Sequence, residues 1–361
     1  MQDKVELWIK QFQKSEKYAK IISEIYRKAI KEAAMMGMSI TFNPNKPFRF
    51  QDYPQLTLRT EKLFNFIAKN IYSTIKNGCK NSFEYSNLNN DELVDDIFST
   101  LDVPKSIIAG YKTRNLEALK VFEDRRIGAI NTTQKLSSRV WNLTAQFKQE
   151  LEMAIDLGIG EAKSAQQLSQ DVRQYLNEPN KLFRKVRDKH GALQLSKNAK
   201  AYHPGQGVYR SSYKNAMRLT RTEINMAYRQ ADSDRWKEIP FVVGIEIKLS
   251  NAHVIYDMCD DLVGFYPKSF VFRGFHPHCR CITVPVLATK AEIDQITKLQ
   301  IKGQDVSNFK SERTVKKLSN NYHDWIKKNE KRILRAKTTP FWIQDNYKNG
   351  LIKNGLKFDL P

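Results

Sequence analysis

The sequence predicts an α+β protein that is predominantly helical: a helical N-terminal half, a small α+β domain with a short antiparallel sheet, and a basic helical tail. Three observations carry this. Apolar residues recur at three- and four-residue intervals through most of the first 157 residues, the pattern of helices with one buried face. Strand-like runs rich in β-branched residues are confined to 241–286. Residues 301–361 carry fourteen Lys/Arg against six Asp/Glu, with Tyr322, Trp325, Phe341, Trp342 and Tyr347 interleaved.

In order, Leu7, Ile9, Phe12, Tyr18, Ile21, Ile22, Ile25, Tyr26 and Ile30 predict a helix over 5–36, ended by Gly37 and the Pro44/Pro47 segment. Leu58, Leu63, Phe64, Ile67, Ile71 and Ile75 predict a second, stopped by Asn77-Gly78, and Asn90 is placed to cap a short third helix. Leu136, Val140, Leu143, Phe147, Leu151 and Ile155 form a near-heptad stripe: a core face, or a seam for a partner helix. Gly158-Ile159-Gly160 ends that unit, and Ser164 opens a helix reaching Leu176. Between Pro179 and Arg210 no apolar periodicity remains, and residues 178–237 hold fourteen Lys/Arg against five Asp/Glu. This segment reads as a long basic loop, a solvated linker or a contact surface. A helix over 212–236 follows, then strands at 241–249, 269–272 and 282–286, and a helix over 290–300. Boundaries are expected at 1–157, 158–288 and 289–361.

The chain has 361 residues, 41% of them hydrophobic, enough for two or three folded cores. Its formal net charge of +21 points to a polyanionic partner, nucleic acid before a membrane surface. No run approaches the roughly 18 apolar residues of a membrane span. Four cysteines make no disulfide framework and fit reduced thiols.

Three of those cysteines are close in sequence. Cys279 and Cys281 stand in Phe275-His276-Pro277-His278-Cys279-Arg280-Cys281, and Cys259 lies just upstream in Asp257-Met258-Cys259-Asp260-Asp261-Leu262-Val263-Gly264. Two accounts stand. Cys259, His276, Cys279 and Cys281 have the number and type of a structural zinc set, but one residue between Cys279 and Cys281 is tighter than the usual two to four. The other is a metal-free turn fixed by Pro277, with its thiols buried as small apolar groups, and the expectation taken forward is this turn, without metal or cofactor. Arg221 and Glu223, on the 212–236 helix, have no opposite charge three or four positions away, so their partners must come from elsewhere. Arg280 is expected to reach Glu223.

Together, Arg221-Thr222-Glu223, the Cys259/Leu262/Gly264 turn and His276-Pro277-His278-Cys279-Arg280-Cys281 resemble the phage Mu F-like family of minor head, or head morphogenesis, proteins. The resemblance covers residues 157–288, about a third of the chain. Tyr256 stands where many members have a further cysteine, so a four-cysteine site is not implied. The resemblance implies a non-enzymatic virion protein of a tailed-bacteriophage head, made in the bacterial host cytoplasm and acting at or near the portal. Its partners would be the portal and other head proteins, with neither membrane nor small-molecule substrate. The basic segments add non-specific contact with double-stranded DNA through Lys181, Arg184, Lys185, Arg187, Lys327, Lys328, Lys331 and Arg332. A metal-dependent nuclease using Asp257, Asp260 and Asp261 beside the thiols is the alternative.

Overall fold

The computed structural model describes residues 4–41, 46–115, 117–127, 133–160, 164–178, 184–187, 189–191, 193–195, 211–251, 253–307, 309–336 and 338–358. The fold is α+β and predominantly helical. Its elements are α1 (Lys4–Met38), α2 (Thr57–Phe98), α3 (Lys105–Tyr111), α4 (Ala118–Asp124), α5 (Leu136–Gly160), α6 (Ala165–Asn177), β1 (Arg184–Arg187), β2 (Leu193–Leu195), α7 (Ser212–Glu238), β3 (Val242–Lys248), α8 (Met258–Leu262), β4 (Gly264–Tyr266), β5 (Ile282–Leu287), α9 (Lys290–Ile301), α10 (Asn320–Leu334) and α11 (Phe341–Asn346).

Four expectations change. The stop at Asn77-Gly78 does not occur, and α2 runs on to Phe98. A glycine inside a helix costs about 1 kcal/mol, and burial of Cys79, Phe83, Val94 and Phe98 on the same helix outweighs it. Asn90 is therefore no cap. It lies inside α2, where its side chain donates to Asp232 Oδ1 (2.7 Å) and accepts from Trp236 Nε1 (2.6 Å). Residues 269–272 form no strand; the third strand is β4, and Asn346 serves the stray backbone by accepting from Val271 N (2.8 Å) and donating to Val271 O (2.9 Å). Within the supposed basic loop, β1 and β2 pair antiparallel across a turn at Lys189-His190-Gly191, with Gly191 at φ 80°. Val186, Leu193 and Leu195 are too few to show a period, which is why the segment read as loop.

The chain groups into two compact units, one of Met1–Ser15, Asn77–Lys135 and Thr222–Pro361, the other of Glu16–Lys76 and Leu136–Arg221. Neither follows the 157/158 or 288/289 boundary, because α1, α2 and α7 each supply residues to both. In the second unit Tyr26 packs against Phe147 and Tyr213 (centroids 4.6 and 5.4 Å), and buried Glu150 accepts from Ser212 N at the start of α7 (2.8 Å). The capping box at Ser164 is present and starts α6. In the first unit the sheet has the order β4-β3-β5, antiparallel throughout. β3 is central and buried over most of its length. Gly244 is required there, since a Cβ would come within 2.5 Å of Val315 Cγ2. Around the sheet Tyr266, Phe270, Phe275, Tyr322 and Trp342 form one aromatic cluster with centroids 4.4–6.4 Å apart.

Candidate functional site

The thiol turn is built from three elements of the first unit. Asp257 caps α8 by accepting from Cys259 N (2.7 Å), while Asp260 accepts from Asp257 N (2.7 Å), a reciprocal box that fixes where the Cys259 thiol points. Gly264, at φ 140°, then turns the chain into β4. Across from it, Cys279 N donates to His276 O (3.1 Å), and His278 takes φ 62°, a left-handed conformation rare outside glycine. Thr222 on α7 holds that residue by accepting from His278 N (2.8 Å). Cys281 precedes β5 directly.

The result is convergence. Cys259 Sγ, His276 Nε2 and Cys279 Sγ lie within 4.8 Å of one another. Cys259 Sγ is 3.1 Å from His276 Nε2 and 3.8 Å from Cys279 Sγ. Cys281, two residues beyond Cys279, is buried as well. All three thiols are buried and free. Hydrogen bonds to Cys279 and Cys281, together with burial, push the Cys259 thiol pKa up. Burial acts the same way on Cys279, but bonds from Cys259 and Cys281 and the positive charge of Arg229 outweigh it and hold Cys279 below the ordinary thiol range.

Arg229 is what the sequence reading missed. Only 2% exposed, it donates to Cys279 O (2.9 Å), Cys281 O (2.7 Å) and Arg273 O (3.2 Å), locking the turn to α7. A signal existed: Arg229 falls a helical repeat from Thr222, Asn225 and Trp236, on the buried stripe of α7, where a charge is out of place. Gly274, at φ 118°, leaves it room, since a Cβ there would sit 3.2 Å from the guanidinium. Arg229 thus ties the turn to α7, and Arg280 is half-buried. Buried Glu223 is held by the largely buried Arg125 (2.7 Å), and Arg221 pairs through two bonds of 2.7 Å with Glu16.

A second group, His253, Asp257 and Asp260, also has ligand-like spacing. Its members are spent locally: His253 Nε2 meets Asp260 Oδ2 (2.8 Å), both Asp257 and Asp260 cap α8, and Asp261 accepts from Tyr256 (2.6 Å).

The predicted basic residues divide. Lys181 lies outside the described residues; Arg184, Lys185 and Arg187 lie on β1, whose side chains also fall outside them. Lys327, Lys328, Lys331 and Arg332 are all exposed on α10. Among the described residues none is engaged by a carboxylate. At 3.6 residues per turn they span about 140° of the helix, opposite the stripe of Tyr322, Ile326 and Ile333. Of the tail aromatics, Tyr322, Trp342 and Tyr347 are buried in the core and offer no stacking surface, while Trp325 and Phe341 are half-buried. Lys328 and Arg332 share a cavity of about 770 Å³ with Trp325, Phe341, Asp257 and His276, which brings the basic face and the thiol turn to one place.

Comparison of the chain with protein-family models, curated proteins and solved structures finds no match. No helix among the described residues is long and apolar enough to cross a membrane.

Proposed function

We propose that the chain is a non-enzymatic structural protein of a tailed-phage head, acting in head morphogenesis at or near the portal and touching packaged double-stranded DNA without sequence preference. The observation that carries the DNA contact is the outer face of α10, where four exposed cations have no carboxylate partner among the described residues. Such a face attracts phosphates by charge and releases their counterions on contact. The net charge of +21 acts in the same direction at longer range. The placement in a phage head rests on the resemblance of the Arg221–Glu223, Cys259–Gly264 and His276–Cys281 strings to the Mu F-like family. The turn built from those strings serves cohesion in this reading, since its polar groups cap, brace and cross-link α7, α8 and β5. The test is binding of the full chain to unrelated duplexes by fluorescence anisotropy. Equal affinities that weaken steeply with salt are expected; one strongly preferred sequence, or no binding at low salt, contradicts the reading. A portal gene beside this one is expected as well.

A further inference from the structure

We propose that Cys259, His276, Cys279 and Cys281 bind a structural zinc ion that joins the start of α8 to the turn before β5. This stands independently of the head-protein reading and reverses the expectation of a metal-free turn. Three features of the geometry carry it.

The first is the thiol spacing. Two ligands about 2.3 Å from a tetrahedral zinc are about 3.8 Å apart, and Cys259 Sγ and Cys279 Sγ are separated by 3.8 Å. That is far beyond the roughly 2.05 Å of a disulfide. Cys281, buried two residues beyond Cys279, is assigned as the fourth ligand.

The second is the imidazole tautomer. His276 Nδ1 lies 3.0 Å from Pro277 O, and a carbonyl only accepts, so Nδ1 carries the proton. In the neutral ring Nε2 then presents its lone pair towards Cys259, the orientation a zinc-bound histidine has when its second nitrogen is tied to the backbone.

The third is the convergence of ligand-type atoms on one point. With Nδ1 protonated, the Nε2 lone pair faces both Asp257 Oδ2 (3.2 Å) and the Cys259 sulfur (3.1 Å). A divalent ion would sit among these atoms with its lone-pair donors already gathered. Soft thiolates with one imidazole select zinc over magnesium or calcium. His278, at φ 62° and held by Thr222, leads the chain into Cys279, and Arg229 fixes the carbonyls of Cys279 and Cys281. Asp257 stands outside the coordination set as the α8 cap.

The experiment uses the full chain, purified without chelator and assayed for metal by plasma mass spectrometry. About one zinc per chain is expected, and far less than stoichiometric zinc overturns the proposal. Cobalt titration of the stripped, reduced protein provides a test that needs no variant. Intense visible bands with thiolate-to-metal charge transfer are expected for a tetrahedral thiolate site; the pale spectrum of octahedral cobalt overturns it. Cys281→Ser should lose much of the charge-transfer intensity, whereas Asp257→Asn should retain it. An unchanged spectrum in Cys281→Ser, or its loss in Asp257→Asn alone, overturns the assignment of the fourth ligand to Cys281.

Discussion

The thiol turn and the outer face of α10 border one cavity yet are opposite in kind. In the turn, charge and polarity are spent internally: Arg229 serves three carbonyls, Asp257 and Asp260 cap one another's helix start, and Thr222 holds a left-handed His278. On α10 the four cations face solvent and are held by nothing among the described residues. Buried polar groups must find partners or cost stability, so the turn is committed to the fold. Exposed cations cost almost nothing to leave unpaired, so α10 is free to meet something else. The same residue type, arginine or lysine, does opposite work in the two places.

Substitutions that remove a buried partner should break this contrast most visibly. Arg229→Ala leaves the carbonyls of Cys279 and Cys281 without their donor and should cost about 3 kcal/mol or more by urea unfolding. A loss below about 1 kcal/mol would mean that the turn does not depend on α7. Next comes Glu223→Ala, which strands the largely buried Arg125 guanidinium and should cost about 3 kcal/mol. Arg221→Ala is its internal control. Its partner Glu16 is 37% exposed, so its loss should be about 1 kcal/mol or less. If the two variants unfold at the same denaturant concentration, burial is not what separates these ion pairs.

A carboxylate outside both regions sharpens the comparison through pH. Backbone donation at Thr289, with bonds from Ser311 and Glu312, holds the Glu292 pKa down to about 2. Its unfolded value is about 4.3. The folded pKa is the lower one, so Glu292 contributes stability above about pH 4.3, and that contribution fades as pH falls towards 2. Glu292→Gln should therefore lower the melting temperature at pH 6 more than at pH 3. An equal difference at both would show that the charge is not what Thr289 and Ser311 recognise.

Most helices were legible in the sequence because their apolar stripes are long: α1, α6, α7 and α9 begin and end within about two residues of expectation. The continuity of α2 through Gly78 was not, since a local helix breaker was outweighed by burial that depends on residues far along the chain. For the same reason Ser269–Phe272 passed for a strand, when Phe270 and Phe272 are apolar to fill an aromatic core. At the site, cysteines and histidines announced themselves by their rarity. Their partners did not: Arg229 lies about fifty residues before the carbonyls it holds, and Arg125 about a hundred before Glu223. A sequence shows which groups need partners, and only the fold says which distant residue answers.

The smallest effect expected on stability goes with the largest expected on binding. Lys327, Lys328, Lys331 and Arg332 replaced together by alanine should leave stability within about 1 kcal/mol, because exposed positions lose little. The direct measurement is the slope of log affinity for duplex DNA against log salt, compared between the native chain and this variant. Each phosphate contact contributes about 0.9 to that slope, so the variant's slope should be shallower by up to about 3.6, with weaker binding at low salt and an unchanged melting curve. The same slope and affinity in both proteins would contradict the assignment of DNA contact to α10.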